Sequence, residues 1–196
     1  MILDLEKQKE HFKNHVATFT DYGNIKILDF KNPESIEYRI RFLFEEDYYR
    51  LHISGDLGEL IACNYKNMCY EKFDDFQRDS SYFEGKIICH NRAIYCYDKD
   101  KAKSDLIKAW NFFNVKVAEL YSEDEDEARE ELIERLLDDF TDRDGFGSKA
   151  CDILYDIDPE CFDYIDDIGK EETGILELYM LAFELAQEQL KEQKNE

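Results

Sequence analysis

Apolar and polar residues alternate most regularly over residues 36–44. There Ile36, Tyr38, Ile40, Phe42 and Phe44 take every second place, between Glu37, Arg39, Arg41 and Leu43. A period of two sends successive side chains to opposite faces, and predicts a strand with one buried and one largely polar face. Shorter runs predict further strands: Ile25, Ile27 and Phe30 ahead of Asn32-Pro33, then Tyr49, Leu51 and Ile53, then 60–63, and later 93–97. Asp21-Tyr22-Gly23-Asn24 reads as a turn, and Ser54-Gly55-Asp56-Leu57-Gly58 as a hairpin or bulged connection between two apolar runs.

Elsewhere the apolar spacing is helical. Leu5, Phe12 and Val16 predict a helix over 2–18, Phe73 and Phe76 one over 70–78, and 82–89 reads as a further short helix. Ala102, Leu106, Ala109, Trp110 and Phe113 predict a helix over 99–113, with Asp98 as its N-cap and Trp110 in its core. Ser122 is placed to cap a helix whose first turn is acidic, where the helix dipole favours carboxylates, and Ala128, Leu132, Leu136 and Phe140 continue it. Gly145-Phe146-Gly147 breaks that helix, a short one follows over 148–155, and the chain closes on a helix over about 174–192 striped by Leu178, Leu181, Ala182, Leu185 and Leu190. The pattern is α+β: an antiparallel sheet of about four strands packed with helices, over residues 1–120, followed by an acidic helical segment over 121–196.

Composition permits a real core and then adds an asymmetry. Of 196 residues 43% are hydrophobic and 14% aromatic, with only two prolines and eight glycines, which argues against global disorder. The formal net charge is −22, and residues 121–196 hold most of it, with 26 Asp+Glu against 7 Lys+Arg. A basic footprint for phosphates is missing, so direct nucleic-acid binding and anionic membrane surfaces are both disfavoured. The opening MILDLEKQKEHF has neither the basic nor the apolar region of a secretory leader, and no run approaches the roughly 20 apolar residues of a membrane helix. A cytosolic location is expected, with Cys63, Cys69, Cys89, Cys96, Cys151 and Cys161 as reduced, mostly buried thiols.

The motifs that carry chemistry elsewhere fall short here. His11 and His15 are four apart but lack the glutamate of a zincin helix. Cys63, Cys69, Cys89, His90 and Cys96 are spaced too widely for the tight cysteine pairs of structural zinc sites. Asp142-Arg143-Asp144-Gly145 resembles the middle of a calcium loop, yet that register puts Phe140 and Cys151 where aspartate and glutamate are needed. The Ser54–Gly58 turn has no Lys-Ser/Thr ending, and no nucleophile–base set can be assembled. Neither a metal nor a cofactor is expected. What remains is carboxylate: Glu123, Asp124, Glu127, Glu130, Glu131, Glu134 and Asp138 form one nearly continuous anionic helix side, and Asp156, Asp158, Asp163, Asp166 and Asp167 a second block. Such groups, held on a folded surface, can occupy places that phosphates take in a basic protein's groove, or can simply form a solvated face.

The passage from Tyr49 to Gly58 resembles the strand, (S/T)-G-D-x-G, strand passage of small acidic phage and prophage proteins of unassigned function. Tyr82-Phe83 with Lys86-Ile87, Tyr97-Asp98 with Ala102 and Asp105-Leu106, and the closing run from Leu181 to Leu190 are similar too. Ile61-Ala62-Cys63 departs from the aromatic pair often found after those glycines. The resemblance implies a phage or mobile-element origin and similarity to anti-CRISPR or other anti-defence inhibitors. The expectation is a non-enzymatic inhibitor whose partner is a basic nucleic-acid-binding protein, with Cas9 as the concrete case, and with a homodimer through the last helix as an option. A small enzyme acting on a nucleotide near Ser54–Gly58, and a phage structural or assembly protein, are the alternatives.

Overall fold

A computed structural model describes residues 3–65, 67–77, 79–109 and 125–194. They group into two compact units, one of residues 3–94 with the C-terminal stretch from 173, the other running from 95 to 172. A division at 120 would fall outside the described residues. The closing helix belongs with the sheet rather than with the acidic segment.

The first unit starts with helix α1 (Leu5–His11), capped by the Asp4 side chain, which accepts from the Lys7 amide. Strands β1 (Val16–Asp21), β2 (Ile25–Lys31), β3 (Ile40–Glu45), β4 (Arg50–Gly55) and β5 (Leu60–Cys63) follow. Two short helices, α2 (Asp74–Gln77) and α3 (Ser80–Glu84), then lead to β6 (Ile87–His90). All six strands join one antiparallel sheet in sequence order, so the expected α+β class stands while the strand count is six rather than about four.

Two strands lie where helix was expected. The helix predicted over 2–18 ends at His11, and β1 alternates the β-branched Val16, Thr18 and Thr20 on its more exposed side. Helix α3 ends at Glu84 with Gly85 as its C-cap, which frees Ile87 and Cys89 to pair with β5. Conversely, the alternation over 36–39 is not strand. Ile36 is 74% exposed, Tyr38 has φ of 59°, and the Arg39 backbone N–H donates to the Asp56 carboxylate instead of a ladder partner.

Register puts the large apolar residues of one face in a row, Leu28 beside Phe42, Phe42 beside Ile53, Ile53 beside Leu60, all of them buried. The closing helix α7 (Ile175–Gln193) covers this face. Its fully buried Phe183 places its ring 4.7 Å from Phe73, 5.1 Å from Phe42 and 5.8 Å from Tyr70, centroid to centroid. Its Gln189 amide accepts from the Ala17 N–H and donates to the His15 carbonyl, clipping the helix to β1.

In the second unit β7 (Tyr95–Tyr97) pairs antiparallel with β10 (Lys170–Glu172). Between them come helix α4 (Lys99–Ala109), helix α5 (Glu125–Leu137), the small hairpin β8 (Phe140–Thr141) and β9 (Gly145–Phe146), and helix α6 (Ser148–Ile157). Asp98 caps α4 as expected, accepting from the Lys101 amide at 2.7 Å. The core joins Leu106 of α4, Leu132, Ile133 and Leu136 of α5, Leu154 of α6 and Ile165. Trp110 and Ser122 lie outside the described residues.

Candidate partner-binding surface

Helix α5 buries Ala128, Leu132, Ile133, Leu136 and Leu137 and leaves Glu127, Glu130, Glu131, Glu134 and Asp138 exposed. At about 100° per residue those five acids fall within an arc of about 100°, with the apolar residues around the rest of the circumference. One helical period therefore builds both the core contact and the anionic side. Glu127, Arg129 and Arg135 of this segment each have an interaction partner. Glu123 and Asp124, expected to extend the side toward the N-terminus, lie outside the described residues.

The second acidic block divides by role. Asp156, Asp163, Asp166 and Asp167 are exposed, with Asp167 accepting from the Lys170 ammonium at 3.3 Å. Asp158 is half-buried and already committed: its carboxylate accepts from the Glu160 amide at 3.0 Å and from the Tyr164 hydroxyl at 2.9 Å. Burial, and then that hydrogen bond, push the Tyr164 phenol well above its ordinary range. Asp158 thus shapes the turn into the two 3-10 turns at 161–163 and 165–167. Sequence reading passed over Asp139, whose carboxylate accepts from the Lys149 and Ala150 amides and caps α6. The signal was present, since Gly147 offers that helix start no side chain of its own.

The Ser54–Gly58 turn is held from within. Gly55 has φ of 140°, and a Cβ there would lie 2.0 Å from the Arg39 carbonyl oxygen. Asp56 is engaged by Arg39 through its backbone N–H and its guanidinium, at 2.9 and 3.1 Å. That pairing, above all the hydrogen bond from Arg39, holds the Asp56 carboxyl below the usual carboxylate range. The geometry is that of a structural turn.

Beside it, the sheet face away from α7 carries a groove of about 550 Å³ lined by Arg41, Leu43, Glu45, His52, Cys89 and His90, among others. Its polar groups are largely paired. Arg41 makes two bonds to Asp29, His52 Nε2 lies 2.8 Å from a Glu45 oxygen, and His90 Nδ1 donates to the Arg92 carbonyl.

His11 and His15, four apart in sequence, do not share a helix face, because α1 ends at His11. His15 is buried and donates from Nε2 to the Tyr38 carbonyl at 3.1 Å, whereas His11 stacks on the Tyr38 ring. All six cysteines are free thiols, but of the expected burial only that of Cys161 is found; Cys89 is exposed and the other four are half-buried. Among the described residues, the group of three ligand atoms lying within 4.8 Å of one another is Glu46, Cys69 and Glu71; it takes Cys69 from the cysteine set singled out from sequence and joins it to two carboxylates that set did not include. The Lys26 ammonium already bridges its two carboxylates, 3.2 Å from Glu46 and in direct hydrogen bond with Glu71. A cation therefore already neutralises both carboxylates of the group. No helix among the described residues is long and apolar enough to cross a membrane. No protein-family model, curated protein or solved structure matches the chain.

Proposed function

We propose that this protein binds a basic, nucleic-acid-handling protein through the acidic side of α5 and the neighbouring acidic turns, and so blocks nucleic-acid access. A CRISPR effector such as Cas9 is the concrete candidate. The observation that carries this reading is the linear charge density of α5. From Glu127 to Asp138 the helix rises about 16 Å and presents five exposed carboxylates, roughly one per 4 Å. A single strand of B-DNA carries one phosphate per about 3.4 Å of axis. A groove that tracks a phosphate backbone meets a similar field here, on a rigid element that loses little freedom on binding.

Charge over the whole unit points the same way, with 25 Asp+Glu against 10 Lys+Arg between residues 95 and 172. The resemblance to phage proteins adds the choice of partner. The test is guided DNA cleavage by purified Cas9 with and without this protein, at low and high salt. Inhibition that weakens as salt rises supports a charged blocker, because exposed charge pairs are screened within about 8–10 Å at 0.1–0.15 M salt. Inhibition indifferent to salt refutes charge mimicry, and the absence of inhibition refutes Cas9 as the partner.

A further inference from the structure

Helix α7 turns a second acidic surface outward, in the other unit. Glu177, Met180, Leu181, Glu184, Glu188 and Lys191 recur at intervals of three and four, a single stripe along the helix. This stripe floors a groove of about 550 Å³ walled by Leu5 of α1, Asp74 of α2 and Ser80 of α3. From Glu177 to Lys191 the floor runs about 21 Å, four helical turns. The half-buried Leu5 and Leu181, with the edge of the buried Met180 between them, make its apolar part. Four carboxylates, from Asp74, Glu177, Glu184 and Glu188, face one ammonium, that of Lys191.

On the wall, the Asp74 Oδ1 is buried and has no hydrogen-bond partner among the described residues. A carboxylate oxygen left without a donor is costly, and it adds to the negative potential of this wall. A nucleic acid is excluded by the sign of the rim. A second copy of α7 would bring the same excess of carboxylates against this one, which disfavours the optional homodimer through this helix.

We propose that the groove is a docking site for a basic amphipathic helix of a partner protein. Leucine-like residues at i, i+3, i+4 and i+7 of that helix seat on Leu5, Met180 and Leu181, and its flanking Lys or Arg side chains pair with Glu177, Glu184, Glu188 and Asp74. This docking does not rest on the acidic side of α5, and the two are separable by experiment.

The probe is a fluorescein-labelled Leu/Lys peptide about four helical turns long, with a Leu/Glu peptide of the same pattern as control. Binding to the full chain is read by anisotropy, and its place by the Met180 methyl resonance. Glu184→Lys with Glu188→Lys should weaken binding of the Lys peptide by about tenfold or more. Glu130→Lys with Glu131→Lys on α5, neither of which lines the groove, should leave it unchanged within about twofold. The Met180 methyl should shift on addition of the Lys peptide and stay still with the control. Equal weakening by the two double variants would reduce the binding to diffuse charge attraction and overturn the proposal. So would a Met180 resonance that does not move, or a Lys peptide that does not bind.

Discussion

Phe183→Ala empties the point where α7 meets the sheet. The ring is fully buried among Phe42, Phe44, Tyr70 and Phe73, with centroids 4.7 to 6.1 Å away. Removing it exposes or leaves void roughly 120 Å² of apolar surface, about 3 kcal/mol at about 25 cal/mol per Å². The four edge-on ring pairs and the residual cavity add about 1–2 kcal/mol, because packed rings relax only partly into the space. The expected loss is about 4–5 kcal/mol, at the upper end for Phe→Ala. Phe183→Leu fills most of the volume and should cost about 1.5 kcal/mol. In urea, with a slope of about 2 kcal/mol/M, the alanine variant should lower the midpoint by about 2 M and the leucine variant by less than 1 M, at unchanged slope. Amide exchange in β2, β3 and β4 should accelerate in parallel. A loss below about 1.5 kcal/mol for Phe183→Ala would mean that the ring cluster does not tie α7 to the sheet, and would refute the packing described.

Three further perturbations test separate parts of the structure. Gly55→Ala puts a Cβ 2.0 Å from the Arg39 carbonyl at φ of 140°, and should destabilise by about 2–3 kcal/mol, read as a lower melting temperature; an unchanged melting temperature would contradict the turn geometry. Lys26→Met leaves Glu46, Glu71 and Cys69 facing one another, and should cost about 2 kcal/mol, discounted because Glu71 is 58% exposed; zinc should then raise the melting temperature of the variant and leave the wild type alone. His15 is pushed below its ordinary value, first by burial, with the hydrogen bond to Tyr38 opposing. Its folded form is therefore neutral, so the contribution is intact above the unfolded value of about 6.5 and is lost as pH falls below it. His15→Gln should flatten the stability profile as pH falls below about 6.5, and an identical slope in both proteins would exclude His15 as its source.

The fold was legible where local pattern and tertiary role agree. Helices α4, α5 and α6 each carry an apolar stripe that is also the buried side, as does the alternating β4. In β2 the buried side is Lys26, Leu28 and Phe30 rather than Ile25 and Ile27, and of the α7 stripe Leu178 and Ala182 are buried while Leu181, Leu185 and Leu190 are half-buried. The helix expected over 2–18 hid β1, because Leu5, Phe12 and Val16 fit a helical spacing, while Val16, Thr18 and Thr20 fit a strand equally well. The turn at Asp21–Asn24 was the deciding signal, since a hairpin turn before β2 requires a strand on its other side. Over 36–39 the alternation was accidental: Asp56, seventeen residues on, takes the Arg39 amide, a contact no local pattern encodes. In the candidate site, exposure of Glu127, Glu130, Glu131, Glu134 and Asp138 follows directly from the helical period. The structural duty of Asp158 does not, because it depends on Tyr164 returning through a turn. The groove on α7 was hidden for a similar reason. The stripe was read for its leucines, and its walls come from α1, α2 and α3, more than ninety residues earlier in the chain.

The most direct measurement is Cas9-guided DNA cleavage titrated with the wild-type protein and with a variant carrying Glu127→Lys, Glu130→Lys, Glu131→Lys and Glu134→Lys, both first shown to be folded. Wild-type inhibition that the charge-reversed protein loses by about a hundredfold or more is the expected result. Equal inhibition by both proteins would contradict a blocking role for the acidic side of α5.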